Sequence, residues 1–291
     1  MLDFYARLAA VLESEPVVVA TVIWVQGSVP RSPGAKMAIA SSQTWGTIGG
    51  GAGEAKVIQQ AAGVLATGRG QRVKIDLYGP DGVCGGMMEV WLGLWRTDVI
   101  ARQIRQHLSQ GKPCTLVTPL TDDGEAYLGS PRESCWVEEL QPPEILLVVG
   151  AGHCAMPLAQ IALLVGFRVV VVDDRPELAV GDRFPGCLVI ADTVAAALPQ
   201  IPPGKLYAAL VTRGYQQDVA AIQALANHPL AYLGVIGSSR RIQIIRQSLR
   251  GYNLNELTNF HAPIGLEIGA QTPEEIAVSI CAELIKVKRS S

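Results

Sequence analysis

Three glycine-rich turns in this chain have compositions suited to holding a phosphate or a polar heterocycle. The clearest is Gly150-Ala-Gly152-His153-Cys-Ala155. Gly150 permits a sharp turn, Gly152 lets a phosphate approach the main chain, and Ala155 lets a following helix pack closely. The amides of the first helical turn then face the anion. Asp173 follows 23 residues after Gly150, where an acidic side chain accepts from ribose hydroxyls, and Arg175 leaves a 2′-phosphate open. Of the four histidines, only His153 falls inside such a turn. A second turn, Gly49-Gly50-Gly51-Ala-Gly53-Glu54, precedes another helical stretch. Consecutive glycines are entropically costly, and they suit a place where the backbone itself must approach a ligand. Glu54 either complements the helix dipole or binds a heterocycle through its carboxylate. No Lys-Ser or Lys-Thr follows these glycines, so this is not a nucleotide-triphosphate loop of the Walker type. The third turn, Cys84-Gly85-Gly86, leaves a thiol uncrowded. No histidine or lysine is adjacent in sequence to activate that thiol.

Cations flank these turns. Arg31 lies in Gln26-Gly-Ser-Val-Pro-Arg31-Ser-Pro-Gly34-Ala-Lys36-Met. This segment reads either as a connector stiffened by its prolines or as an anion-binding loop with a planar guanidinium. Arg213 follows an apolar run, as a cation at a strand end above a cleft. Gly237-Ser238 begins a further turn whose Arg240 and Arg241 read as a solvated helix face. Glu267, in the glycine-punctuated segment before the last helix, is expected to line the same cleft.

The elements needed to position these groups are visible as periodicities. Ile145–Val149 and the run ending at Asp173 are continuous apolar stretches joined by an alanine- and leucine-rich helix, a βαβ unit. Further short strands at 187–190, 206–211 and 231–236 give a doubly wound parallel sheet of order 3-2-1-4-5. Its ligand site belongs at the carboxyl ends of the strands, where the order reverses. The N-terminal part alternates helices (2–12, one opened by the second glycine turn and running through Leu65, and 97–108) with strands (17–25, 72–77, 87–95, 113–119). Gln141-Pro-Pro143 reads as the linker. Thr272-Pro273-Glu-Glu275 is a capping box that opens the final helix.

Composition narrows the function classes. The chain has 291 residues, 49% of them hydrophobic, with 26 acidic and 24 basic residues and a net charge of −2. There is no lysine- and arginine-rich tract, which argues against nucleic acid or anionic membrane as partner. Asp3, Arg7 and Glu13 interrupt any signal-peptide core, and no apolar run approaches the ~18 residues of a membrane span. A cytoplasmic protein is expected. Six cysteines without a CxxC pair argue against a zinc site or a disulfide framework.

Four segments together, GSVPRSPGAKM (27–37), GTIGGGAGE (46–54), GAGHCA with DDRPE (150–155 and 173–177) and PIGLEIGAQTPEEIAVSI (263–280), resemble the XdhC/CoxI family of maturation factors for molybdenum hydroxylases. The resemblance extends over nearly the whole chain and includes the IGSSRR turn at 236–241. It implies an N-terminal α+β XdhC-type domain over residues 1–140, then a Rossmann-like domain with a doubly wound parallel sheet over 144–291, an α/β chain overall. It also implies a factor that binds molybdenum cofactor, as molybdopterin or its dinucleotide form, and protects it during sulfuration by a cysteine desulfurase. The factor then delivers the cofactor to a molybdenum hydroxylase apoenzyme such as xanthine dehydrogenase. Under this resemblance Cys84 contacts the metal or a sulfur. The cofactor-binding set is then Arg31, Gly49, Gly50, Gly51, Glu54, Cys84, Gly85, Gly86, Gly150, Gly152, His153, Asp173, Arg175, Arg213, Gly237, Ser238 and Glu267. The chain departs from the family pattern twice. Gly51 and Ala52 stand where many relatives carry a cysteine, and Tyr215 stands where they commonly carry a histidine after Arg-Gly. No catalytic residue is assigned, because a maturation factor need not turn over. The rival expectations are an NAD(P)-dependent oxidoreductase and a dinucleotide-sensing regulator, and a homodimer is a reasonable expectation for any of the three.

Overall fold

The computed structural model describes residues 1–77, 85–249 and 259–290. The chain divides into two compact units, Met1–Pro142 and Pro143–Ser291.

The first unit is built on a five-stranded antiparallel sheet of order β3-β2-β1-β5-β4. Its strands are β1 (Val17–Gly27), β2 (Lys36–Ile39), β3 (Thr44–Gly46), β4 (Gln71–Asp76) and β5 (Gly86–Trp95). β1 carries a run of β-branched residues and is buried from Val17 to Ile23 because both of its faces are covered. Helix α2 (Gly51–Thr67) lays Val57, Ala61 and Val64 over Val18, Ala20 and Val22 on one face. On the other face Val17 and Val19 meet α1 (Leu2–Leu12) and α3 (Val99–Ser109), which contribute Tyr5, Leu8, Ile104 and Leu108. A second antiparallel sheet, β7-β6-β8, completes this core with Leu116 and Leu140. Its strands are β6 (Cys114–Pro119), β7 (Tyr127–Leu128) and β8 (Cys135–Leu140).

The second unit is a parallel sheet of order β11-β10-β9-β12-β13-β14. Its strands are β9 (Ile145–Val149), β10 (Arg168–Val172), β11 (Leu188–Ile190), β12 (Leu206–Leu210), β13 (Leu230–Val235) and β14 (Phe260–His261). Period-two alternation sorts the side chains. Ile145, Leu147 and Val149 face α5 (Val194–Ala197), α6 (Tyr215–Leu225) and α7 (Ser239–Ser248). Leu146 and Val148 face α4 (Ala155–Leu164) and α8 (Pro273–Ser290). Both faces are therefore dry, and β9 reads as uninterrupted apolar sequence. The five expected strands take their 3-2-1-4-5 order, and β14 adds a sixth. Two residues long, it is too short to show any periodicity. Among the described residues no helix is long and apolar enough to cross a membrane.

Candidate functional site

In the first unit the glycine loops are drawn together by close packing. A Cβ at Gly49 would lie 2.2 Å from Cγ of Pro30, and one at Gly86 would lie 2.4 Å from the Ser28 carbonyl oxygen. Loops 27–35, 47–53 and 85–86 thus meet only because glycine stands at the contacts, and the Ser28 amide donates to the Gly85 carbonyl at 3.3 Å. Gly50 and Gly51 have φ of +82° and +64°, and a Cβ on either would meet nothing within 4 Å. The space a side chain would fill is open at both. Arg31, next in chain to the Pro30 that packs on Gly49, is exposed and makes no ion pair among the described residues. Lys36, five residues on, is instead buried against Glu138 of β8, with Nζ 2.5 Å from Oε2. Burial lowers the Lys36 pKa, and the facing Glu138 carboxylate opposes that shift.

Glu54 has a duty that its sequence position did not reveal. Its Oε1 accepts from the Thr47 hydroxyl at 2.5 Å and from the amides of Ile48, Gly49 and Gly50 at 3.0, 3.3 and 2.9 Å. Burial alone would raise its pKa, but the Thr47 hydroxyl and the three amides bring it below the ordinary carboxylate value. The anion expected to seat itself on these amides is therefore the chain's own carboxylate. Gly49 serves packing, while Gly50 and Gly51 keep the open surface. Cys84, singled out for its thiol, lies outside the described residues.

The second unit places a cavity of about 170 Å³ at the carboxyl ends of β9, β10, β11 and β12. This is the point where strand order reverses. Val149, Val172, Val194 and Ala221 form its apolar floor, and Asp173, Asp174, Arg175, Asp192, Thr212, Arg213 and Gln217 its polar wall. Gly150 lies at its edge with φ +105°, and a Cβ there would come 2.7 Å from the Val211 carbonyl oxygen. At Gly152 a Cβ would meet nothing within 4 Å. His153 is exposed on the turn.

Asp173 does not hold out its carboxylate as a ribose acceptor would. Its side chain is only 3% exposed. One oxygen accepts from the Ala151 amide at 2.6 Å and from Nη2 of Arg175 at 2.8 Å. The other accepts from the Arg175 amide at 3.0 Å and its Nε at 2.8 Å. Burial would raise this carboxyl, yet the Arg175 guanidinium and the two amides hold its pKa down at about 2. Arg175 is spent on the same bonds. Asp174, which no spacing rule marks, is the half-exposed acid of the pair, and its Oδ2 receives Nη2 of Arg213 at 3.1 Å.

Arg241 overturns the expectation of a solvated helix face, which holds only for the exposed Arg240. Arg241 Nη2 reaches Oδ2 of the fully buried Asp218 at 2.6 Å, and it also donates to Thr212 Oγ1 at 2.9 Å. Gly237 makes room for this, since a Cβ there would lie 2.7 Å from Cδ of Arg241. Ser238 caps α7 by accepting from the Arg241 amide at 3.4 Å. The duties seen for Gly237 and Ser238 are thus internal to the fold. Glu267 is exposed and accepts from the Gly269 amide at 3.1 Å, and it does not line the cavity as expected. Buried Glu283 of α8 is the acid that anchors this segment, accepting from the Tyr232 hydroxyl and the Gly265 amide at 2.5 and 2.8 Å. Among the described residues no three histidine, cysteine or acidic side chains are grouped to hold a metal ion.

Residues 146–284 match the family model described as the XdhC Rossmann domain, and residues 10–76 match that described as the XdhC and CoxI family. The chain is 29% identical to an uncharacterized protein, YqeB, of Escherichia coli K12, over 97% of this chain, and it spans 46% of that protein's length. It is 28% identical to a probable subunit of xanthine dehydrogenase from Bacillus subtilis 168, over 99% of this chain and 98% of the relative. It is 23% identical to the molybdenum cofactor insertion chaperone PaoD of E. coli K12, over 96% and 86% of the two chains. A crystal structure described as a xanthine dehydrogenase from Bacillus halodurans superposes with a TM-score of 0.87. The two are 26% identical, with 99% of this chain and 96% of that one covered.

Proposed function

Because the chain belongs to the XdhC and CoxI family, we propose that it is a molybdenum-cofactor-binding chaperone. It stabilises the cofactor during sulfuration and delivers it to a molybdenum hydroxylase such as xanthine dehydrogenase. The observation that carries this reading is the unfilled space at Gly50 and Gly51, with the exposed Arg31 next in chain to the Pro30 that packs on Gly49. The chain that bears it aligns over almost its full length with a molybdenum cofactor insertion chaperone.

These residues fit an anionic pterin in kind. Arg31 supplies a planar, permanently charged donor set for a phosphate. Gly50 and Gly51 let a flat heterocycle lie against main chain, with the loop shape maintained by Glu54 from within. Cys84, outside the described residues, is the thiol that would contact the metal or a sulfur. When bound, the cofactor carries the molybdenum centre on which the acceptor enzyme depends. The chain's own residues hold it and release it. The partners under this reading are the hydroxylase apoenzyme and a cysteine desulfurase.

Delivery is measured by reconstitution. Released cofactor is aged anaerobically with or without the chain and then mixed with cofactor-free xanthine dehydrogenase. The chain is expected to lengthen the time over which activity can be restored, and Arg31→Ala or Cys84→Ala to shorten it. Loss of reconstituting power at the same rate with and without the chain would count against the proposal.

A further inference from the structure

We propose that the chain forms a homodimer about a two-fold axis through the middle of α8, with the two copies of that helix packed antiparallel. This does not rest on the handling of molybdenum cofactor, since a chain that carried no pterin would pair by the same face.

The first argument is an apolar stripe left uncovered. α8 turns Ala277, Ile280 and Leu284 into the core, where they join Leu158 and Ala162 of α4. Its opposite face is not polar, as a solvated face would be. Val278 is 50% exposed and Ile285 38% exposed, and Ala282 lies between them half-buried. Residues three and four apart are neighbours on a helix surface, so these three form one line along it. Ala282 is small, and a second helix can approach closely at that point. The neighbouring α4 is apolar outside as well as inside. It has no charged residue from Ala155 to Leu164, and Leu164 is 86% exposed.

The second argument is the order of charge along the same stripe, which names a second copy as the occupant. Glu274 continues the line at its amino end and Arg289 at its carboxyl end. Both are exposed, and neither makes an ion pair among the described residues. Glu274 and Arg289 are centred on the same point as Val278 and Ile285, between Cys281 and Ala282. A two-fold axis through that point reverses the helix. Val278 then meets Ile285 of the second copy, and Glu274 meets its Arg289, each contact occurring twice. Parallel copies would instead set Glu274 against Glu274 and Arg289 against Arg289. The two charges are about 22 Å apart along the helix. At the crossing of about 20° common for closely packed helices, their long side chains still reach across. A partner of different sequence would place no such demand on the order of residues.

Sedimentation velocity of the whole chain over a dilution series tests this. A dimer is expected at about 100 μM, dissociating on dilution. Val278→Glu should weaken it at least about tenfold, because it buries a carboxylate against Ile285. Glu274→Lys and Arg289→Glu should each weaken it at least about fivefold, since each sets like charges together at both ends. All three positions are exposed, so each variant should keep the far-ultraviolet circular dichroism of the wild type. Mixing Glu274→Lys with Arg289→Glu in equal amounts should restore the wild-type affinity, because the mixed dimer again pairs opposite charges at both ends. The helix dipole favours the same charges within a single chain, but a role confined to the dipole would give no restoration on mixing. A wild-type chain that stays monomeric at about 100 μM would overturn the proposal. A dimer indifferent to Val278→Glu would lie on another face and overturn it too. A mixture no tighter than its two components would overturn the antiparallel pairing.

Discussion

Asp173 illustrates how one carboxylate can be recruited by the fold itself. Its pKa of about 2 lies below the ordinary 3.8, so its contribution to stability is full above about pH 4 and is lost as pH falls through about 2. The shift corresponds to about 2 kcal/mol. Asp173→Asn should lower the unfolding free energy at neutral pH by about that amount and flatten its decline between about pH 4 and pH 2, as measured by urea midpoints. Asp218 behaves oppositely. Burial raises its pKa, against the pull of Thr212 and Arg241, so ionising it costs stability as pH rises. Arg241→Ala leaves this buried charge without its cation and should cost about 3 kcal/mol at neutral pH. That penalty should shrink as pH falls and the carboxyl takes up a proton. A penalty independent of pH would show that Arg241 contributes packing rather than charge.

At the scale of elements, the glycine loop of the first unit separates two reasons for glycine. Gly49 has φ +134° and no room for a Cβ beside Pro30, whereas Gly51 has φ +64° and open space around it. Gly51→Ala should cost about 1 kcal/mol of backbone strain. Gly49→Ala should cost about 3 kcal/mol, because the Pro30 loop must move as well. Equal thermal shifts in the two variants would contradict this account. The capping box of α8 is formed as the spacing Thr-Pro-Glu-Glu announces. Glu275 accepts from the Gln271 and Thr272 amides at 2.7 and 3.1 Å, and Thr272 accepts from the Glu275 amide at 3.3 Å. Local features of this kind are legible because donor and acceptor lie within one turn.

Over the whole molecule, the same distinction decides what sequence can and cannot reveal. The order of β9 to β13 follows from apolar runs and the handedness of crossovers, both of which are local rules applied repeatedly. The pairing of Lys36 with Glu138 across 102 residues follows from nothing local. The same holds for the reach of Arg241 back to Asp218 and Thr212. Glu54 is recognisable as a chemical group beside glycines, but whether it faces a ligand or its own amides depends on how the loop closes. Spacing finds Asp173 but not its saturation by Arg175, because a short-range salt bridge and a ligand contact have the same sequence signature. Short strands such as β7 and β14, two residues each, are set by their neighbours and carry no period of their own.

The chaperone reading stands or falls on retention of the pterin. The whole chain, mixed anaerobically with released molybdenum cofactor, is passed through gel filtration, and pterin in the protein fraction is measured as its fluorescent oxidation product. The account predicts about one pterin per chain, falling to background in Arg31→Ala while the variant keeps its thermal midpoint. Pterin recovered wholly in the small-molecule fraction from the wild-type chain would contradict it.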